Sequence, residues 1–198
     1  AASLTPNQYH WVNSPQAGVE RVMLDRVGDE VARATSIVRY APASNFPRHL
    51  HSGGEEILVL SGTFSDENGH YPAGWYLRNP PGSSHQPFSS DGATLFVKLG
   101  QMNSSDTSHV RIDTRPVSSW QLTDNGEVCH LFRSDHEQVS LERLPPGKRL
   151  TQDGLNGIEI LVLDGVAHMN DQAFPRGSWL RLPAGPSMTV YAGAQGLT

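Results

Sequence analysis

The chain has 198 residues, of which 37% are hydrophobic and 18% are charged, and its formal net charge is −5. These values are typical of a folded globular protein and argue against a disordered chain. Since there is no basic cluster and no apolar run near the roughly 18 residues that span a bilayer, we expect binding to neither nucleic acid nor membrane. One cysteine, Cys129, excludes an intrachain disulfide framework. With no signal peptide visible, this favours a cytoplasmic location.

The first half of the chain reads as a series of short strands. The 19 glycines and 14 prolines fall every few positions, which leaves little room for long helices. Residues 1–18 carry no clear pattern and are interpreted as an irregular lead-in. A polar turn is expected at 66–69. The predicted strands are 19–26, 30–40, 56–60, 74–78, 86–88 and 93–99.

The second half begins after a polar connection. Residues 101–115 carry no apolar period, apart from a possible short strand at 110–112. Strands at 128–133 and 139–144 are predicted to pair across the polar segment SDHEQ. A helix over 127–144 is the alternative, because that stretch lacks glycine and proline, but the polar segment interrupts any apolar stripe.

The sequence repeats itself after 103 residues. The segment EILVL at 56–60 recurs at 159–163, and 13 of the 30 positions from 56 to 85 match their counterparts, where chance would give roughly two. A β-rich unit that occurs twice predicts two similar barrels in tandem, and we place them at residues 1–104 and 105–198. A single large sandwich with accidental similarity is the alternative.

Three histidines and one glutamate in the first copy have the spacing of a metal site. His49, His51 and Glu55 are all odd-numbered, so a near-extended chain points them to one face. Glycines at 53–54 give the backbone freedom to bring the carboxylate to a metal. His85 follows a proline-rich turn that can direct it inward. Neutral imidazoles with one carboxylate suit zinc, iron(II), manganese or nickel.

The second copy has lost the whole candidate site. Isoleucine and methionine stand at the positions of Glu55 and His85, and no histidine precedes the second EILVL at the positions of the other two. The neighbouring Glu56, in contrast, is retained as Glu159. We therefore interpret Glu56 as structural or surface-facing and Glu55 as the ligand, and we predict a second barrel without metal.

The same residues match the two motifs of the cupin family, roughly G-x5-H-x-H-x3–4-E-x6-G and G-x5-P-x-G-x2-H-x3-N. The segments HLHSGGE and GWYLRNPPGSSH supply every ligand position. The departures are Ala43 in place of the leading glycine and Ser89 in place of the final asparagine, and neither position is a ligand. Together with the repeat, the resemblance implies a bicupin, which is an all-β tandem double-stranded β-helix built of jelly-roll barrels.

The stretch from Phe46 to Phe88 resembles, more narrowly, the cupin domain of ChrR-type anti-sigma factors, and acetylacetone-cleaving dioxygenases resemble the same group. In the anti-sigma family this domain binds zinc and serves oxidative-stress sensing, so the resemblance favours Zn2+, with Fe2+, Mn2+ and Ni2+ as alternatives. Sigma-factor binding there belongs to a separate helical zinc domain with His and Cys ligands. These 198 residues contain no counterpart of that domain, so we do not expect direct sigma-factor binding.

Three functions are compatible with the same four ligands. The first is a regulatory sensor of stress, and the second is a metal-dependent dioxygenase that binds a small molecule at open metal positions. The third is a structural zinc protein without turnover. No dedicated base is visible, so no catalytic residue is assigned. The exposed edges of barrel sheets, together with the habit of the family, predict a homodimer.

Overall fold

The computed structural model describes residues 1–28, 33–185 and 187–198. Its regular elements are strands, apart from two short 3₁₀ turns at Pro6–Gln8 and Val117–Ser119. No helix in these described ranges is long and apolar enough to cross a membrane. The strands of the first 115 residues are β1 (Ala2–Leu4), β2 (Trp11–Asn13), β3 (Val19–Val27), β4 (Arg33–Tyr40), β5 (Ser44–Asn45), β6 (His49–His51), β7 (Glu55–Asp66), β8 (Gly69–Pro72), β9 (Trp75–Asn79), β10 (Ser83–His85), β11 (Phe88–Ser89), β12 (Ala93–Leu99) and β13 (Val110–Asp113).

The remaining strands follow in chain order after the connection. They are β14 (Gln121–Thr123), β15 (Gly126–Arg133), β16 (Gln138–Arg143), β17 (Arg149–Gln152), β18 (Ile158–Leu161), β19 (Gly165–Met169), β20 (Gln172–Pro175), β21 (Trp179–Leu182) and β22 (Met188–Leu197).

Residues His10–Arg115 form one compact unit, here called the first barrel. Its main sheet runs in the order β13-β9-β7-β12-β4-β3-β2, and β6 pairs with β10 in a separate ribbon. Strand β7 is central because its apolar segment is buried on both faces, as the continuous EILVL run predicts. The side chains of Ile57 and Val59 point into the core with Leu95 and Val97 of the paired β12.

An irregularity in β7 changes which of its residues face inward. Opposite β12, Val59 pairs with Leu95 and Ser61 with Thr94, so one residue of β7 is extra. A bulge of this kind shifts the alternation of side chains by one position. Beyond the bulge, the even-numbered Phe64 joins the core that odd-numbered residues line before it. The far end of β7 can therefore direct Asp66 inward.

Residues Ala1–Tyr9 and Pro116–Thr198 form the other compact unit, the second barrel. Its sheets are β1-β21-β18, β14-β15-β16 and β17-β22-β19-β20. The lead-in, expected to be irregular, contains β1, which pairs with β21 through Leu4 opposite Trp179. The Tyr9 hydroxyl donates to the carbonyl of Gly177. The structure thus divides the chain near residues 9 and 115, whereas the sequence suggested a boundary after 104.

The 103-residue repeat holds in the strand pairing. In β7 and β9, Glu56 lies opposite Arg78; in β18 and β21, Glu159 lies opposite Arg181 at the same offset. This agreement, with the all-β content, confirms the tandem double-stranded β-helix. The stretch 127–144 forms the hairpin β15–β16 rather than a helix. Of the predicted strand at 30–40, residues 30–32 lie outside the described residues and the rest is β4.

Candidate metal centre

The structure brings the three predicted histidines together at one end of the first barrel. His49 and His51 lie on β6, and His85 lies opposite His49 on the paired β10. One ring nitrogen from each lies within 4.8 Å of the others. His51 and His85 are buried, while His49 is partly exposed and leaves the cluster open to solvent on its side.

The carboxylate of Glu55 faces the same point. Its Oε2 lies 3.4 Å from His51 Nε2 and 3.3 Å from His85 Nε2, and these two nitrogens are 2.9 Å apart. Ligands at roughly 2.0–2.2 Å from one cation lie about 2.9–3.5 Å from each other. The three separations among His51, His85 and Glu55, together with the donor set of nitrogen and carboxylate oxygen, therefore fit a divalent cation. The assignment of all four as ligands stays a prediction.

The glycines before Glu55 are required by close packing. A Cβ at Gly53 would lie 2.6 Å from Gly100 Cα, and one at Gly54 would lie 2.4 Å from the Met102 sulfur. Gly54 also has φ +78°, in the left-handed region. The Gly100 amide donates to the Gly54 carbonyl at 3.0 Å, which holds the loop against the following segment. The loop therefore turns sharply enough to place Glu55 beside the histidines.

Hydrogen bonds fix the tautomers of two of the histidines. His49 Nδ1 lies 2.9 Å from the carbonyl of Pro47, and His85 Nδ1 lies 3.3 Å from Asp66 Oδ2. Both partners only accept, so each Nδ1 carries the proton and donates it. The Nε2 lone pair of each ring is then available to a cation.

The electrostatic environment differs between the two buried histidines. Burial lowers the pKa of His51, and the Glu55 charge only partly offsets it, so this ring is neutral at pH 7. Burial also acts to lower the pKa of His85, but the hydrogen bond to Asp66 and the charge of Glu55 outweigh it and raise that pKa. The carboxylates thus give this end of the barrel negative potential that suits a cation.

Glu56, interpreted as structural or surface-facing, contacts Arg78. The Glu56 side chain is buried rather than surface-facing. Its Oε2 accepts a hydrogen bond from Arg78 Nη1 at 2.8 Å. Arg78 also donates to Asp106 at 2.7 Å, so the guanidinium joins β7 and β9 to the connecting segment. Its counterpart Glu159 accepts from Trp179 Nε1 at 2.8 Å. The structural interpretation of Glu56 agrees with this geometry.

Three polar residues behind the site are not identified by the sequence motifs. Asp66 contacts His85, Asn79 Nδ2 donates to Glu55 Oε2 at 3.1 Å, and Arg111 Nη2 donates to Asn79 Oδ1 at 2.6 Å. The signal that would have found two of them lies in the repeat. Methionine and leucine stand at the positions of Asp66 and Asn79 in the second copy, which also lacks the ligands.

Comparison with known proteins identifies the kind of domain. Residues 1–103 match the family model described as the ChrR Cupin-like domain. No curated protein matches the sequence significantly. At the level of structure, a candidate dioxygenase from Nostoc punctiforme aligns with a TM-score of 0.80 at 14% identity, over 99% of this chain and 79% of that one.

Two further solved structures show the same fold. Pirin from Escherichia coli, solved in complex with nickel(II), aligns with a TM-score of 0.68 at 13% identity, over 99% of this chain and 95% of that one. A cupin 2 conserved barrel domain protein from Leptotrichia buccalis aligns at 0.64 and 13% identity, over 100% and 93%. At these identities the likeness shows the cupin fold alone.

Proposed function

The chain belongs to the ChrR cupin-like family, and we propose that it is a metal-dependent regulatory protein whose first barrel binds one divalent cation. The ligands in this proposal are His49, His51, Glu55 and His85. The observation that carries it is the convergence of three ring nitrogens within 4.8 Å, with the Glu55 carboxylate 3.3 Å from one of them. Such a cation would supply a Lewis-acid centre with positions left for a small ligand.

A sensing role is supported by the family and by the accessibility of the site. His49 is partly exposed, so a small molecule or oxidant can reach this side of the centre from solvent. His51 and His85 are buried, which keeps their side chains in place while that exchange occurs. Zinc is the proposed metal because nitrogen and carboxylate ligands suit it. Iron(II), manganese and nickel remain alternatives, and nickel is the metal in the pirin complex.

A dioxygenase acting on a small organic molecule is the second candidate, and the aromatic surroundings of the site favour it. The Phe46 ring lies 5.7 Å from the His49 ring, and the Phe64 ring lies 6.0 Å from the His85 ring. Apolar walls beside a metal that solvent can reach suit an organic ligand. In this case iron(II) would be the resident metal, and the histidines and Glu55 would hold it while the aromatic side chains orient the substrate.

Metal analysis with an oxygen assay separates the two candidates. The protein is purified without chelator, its metal is quantified, and oxygen uptake is followed after a β-diketone is added. One zinc per chain without oxygen uptake supports the regulatory function. Iron with substrate-dependent uptake supports the enzyme and overturns the regulatory proposal. A protein that binds none of these metals, even when they are supplied, contradicts both.

We also propose a homodimer. In the main sheet of the first barrel, β2 and β13 are the outermost strands, and such edges readily pair with a second copy. The molar mass in solution, measured by light scattering, tests this: twice the 21.6 kDa of the chain is expected, and a single chain mass contradicts it.

A further inference from the structure

We propose that Asp66, Asn79 and Arg111 are positioning residues of the metal centre, which hold His85 and Glu55 with their donor atoms facing the cation. The inference rests on the metal site of the proposed function and adds the residues that orient it. It follows from three hydrogen bonds that lead from behind the site to two of the four predicted ligands.

The first of these contacts orients His85. The Asp66 side chain is fully buried, and its Oδ2 accepts from His85 Nδ1 at 3.3 Å. Its Oδ1 accepts from the backbone amide of Asn68 at 2.8 Å, so the turn after β7 holds the carboxylate in place. With both oxygens engaged, Asp66 fixes the His85 ring so that Nε2 faces His51 and Glu55. A carboxylate behind a histidine ligand sets its tautomer and raises its basicity.

The second contact orients Glu55 through an amide whose direction is fixed. Asn79 lies opposite Glu55 in the sheet and is buried. Its Oδ1 accepts from Arg111 Nη2 at 2.6 Å, and a guanidinium can only donate, so the amide oxygen must face Arg111. The NH₂ group is then directed at Glu55, where it donates to Oε2 at 3.1 Å. Glu55 Oε2 is also the atom nearest the histidine nitrogens, so the amide determines which carboxylate oxygen faces the cation.

Arg111 itself is held on several sides. Its Nη1 donates to the carbonyls of Arg78 at 3.1 Å and Val110 at 2.8 Å, and its Nε donates to the Tyr71 hydroxyl at 3.3 Å. A guanidinium with this many partners has one orientation. The chain Arg111–Asn79–Glu55 is therefore rigid from the strand β13 to the ligand.

The second barrel shows that these polar residues accompany the ligands rather than the sheet. Its strands pair in the same register, with Ile158 opposite Leu182 where the first barrel has Glu55 opposite Asn79. Methionine replaces Asp66 at position 169. The neighbouring Glu–Arg pair, in contrast, is present in both copies. If Asp66 and Asn79 served only the sheet, the copy would need equivalents of them; it has apolar side chains instead.

The test uses two variants and one control in the full chain. Asp66→Asn keeps the shape but removes the charge, and Asn79→Leu installs the residue that the copy carries. Ser89→Ala is the control, because this residue is fully buried and its hydroxyl donates to the carbonyl of Thr63 at 2.7 Å rather than to a predicted ligand. Each protein is loaded with cobalt(II), its visible absorption spectrum is recorded, and cobalt affinity is measured by chelator competition. The melting temperature of each metal-free protein is measured in parallel.

We expect both variants to lower cobalt affinity by about 10- to 100-fold and to shift the cobalt absorption bands, while Ser89→Ala changes neither. Affinities within twofold of the wild type, with unchanged bands, overturn the inference. If Asn79→Leu does not fold, Asp66→Asn decides alone, because it is nearly isosteric. A wild-type protein that binds no cobalt contradicts the proposed function instead, so the two failures are distinguishable.

Discussion

The strand pair β7–β9 of the first barrel and its counterpart β18–β21 in the second have the same register but different side chains at one paired position. In the first barrel, Glu55 pairs with Asn79 beside the three histidines. In the second barrel, the corresponding pair is Ile158 and Leu182. Replacing this buried polar pair by an apolar one leaves the pairing unchanged. The strand pairing therefore forms with either set of side chains, and the second barrel keeps it without the predicted ligands.

One pair of charges belongs to the scaffold itself. Glu56 lies opposite Arg78 in the first barrel, and Glu159 lies opposite Arg181 in the second. Neighbouring glutamates on β7 thus have different roles, since Glu55 faces the histidines and Glu56 faces the guanidinium. The comparison between the barrels separates these roles, and four changes can break or sharpen it.

The largest effect is expected from His51→Ala, which removes one of the four proposed ligands. We expect the metal content to fall from one per chain to a trace, because three-coordinate binding by the remaining side chains is weak. A bound metal stabilises only the native state, by about 2.7 kcal/mol when its free concentration is 100 times Kd. The variant should therefore lose the rise in melting temperature that added metal gives the wild type. The exposed His109→Ala is the control, and unchanged metal content in His51→Ala would remove His51 from the site.

The next effect concerns stability without metal. Glu56→Ala leaves the buried Arg78 with fewer acceptors, and we expect a loss of about 3 kcal/mol in the free energy of unfolding. Glu159→Ala should cost less, because Glu159 is only half-buried and the partner it leaves is the neutral indole of Trp179 rather than a buried charge. Both are measured by denaturant unfolding in the presence of chelator. Metal affinity should be preserved in Glu56→Ala, and a loss of binding equal to that of His51→Ala would contradict its assignment to the scaffold.

A smaller effect is expected when the polar residues around the predicted site are replaced by the residues at the corresponding positions of the second barrel. We expect His85→Met alone to abolish metal binding and to leave the carboxylates of Glu55 and Asp66 buried beside an apolar side chain. Adding Glu55→Ile, Asp66→Met and Asn79→Leu replaces the whole polar set by the residues of the copy. We expect the fourfold variant to be more stable than His85→Met by about 2 kcal/mol in chelator, since apolar replacement of a buried polar network is often neutral or stabilising. A fourfold variant that is less stable would show that the first barrel needs its polar interior.

Much of this architecture could be predicted from the sequence because it depends on local patterns. The continuous EILVL run predicts a strand buried on both faces, and the repeat of that run predicts the second barrel. The clustering of the three histidines could be predicted because alternation holds along the short strand β6 and its partner β10. Strand β1 could not be predicted, because it has three residues that are held by backbone pairing with β21 and that show no alternating side-chain pattern.

The residues behind the site were missed for a geometric reason. Counting by twos from Glu55 along β7 places Asp66 on the outer face. The bulge before Gly62 shifts the alternation, and Asp66 faces His85 instead. Arg111 reaches Asn79 only because β13 pairs with β9, and no local pattern encodes the pairing of strands 30 positions apart. The replacement of Asp66 by Met169 and of Asn79 by Leu182 in the second copy was the one signal that the sequence contained.

The two barrels also differ at one strained turn. Ala43 occupies the position where the family motif has glycine, and its φ is +58°, in the left-handed region. The corresponding turn of the second barrel has Gly147 there, with φ +71°. Both residues donate a backbone hydrogen bond to a distant segment of the same barrel, Ala43 to the Ser90 carbonyl at 3.0 Å and Gly147 to the Ala192 carbonyl at 3.1 Å. The first barrel thus carries a side chain where the backbone favours glycine.

Exchanging these two residues gives the smallest predicted effect. The left-handed conformation costs a residue with a side chain about 1–2 kcal/mol, while glycine loses about 0.5–1 kcal/mol more chain entropy on folding. Ala43→Gly should therefore stabilise the first barrel by about 0.5–1 kcal/mol, and Gly147→Ala should destabilise the second by a similar amount. A Cβ at Gly147 would meet no atom within 4 Å, so its cost is conformational alone. Denaturant unfolding measures both, and a destabilising Ala43→Gly would mean that packing of the alanine methyl outweighs the strain of its backbone.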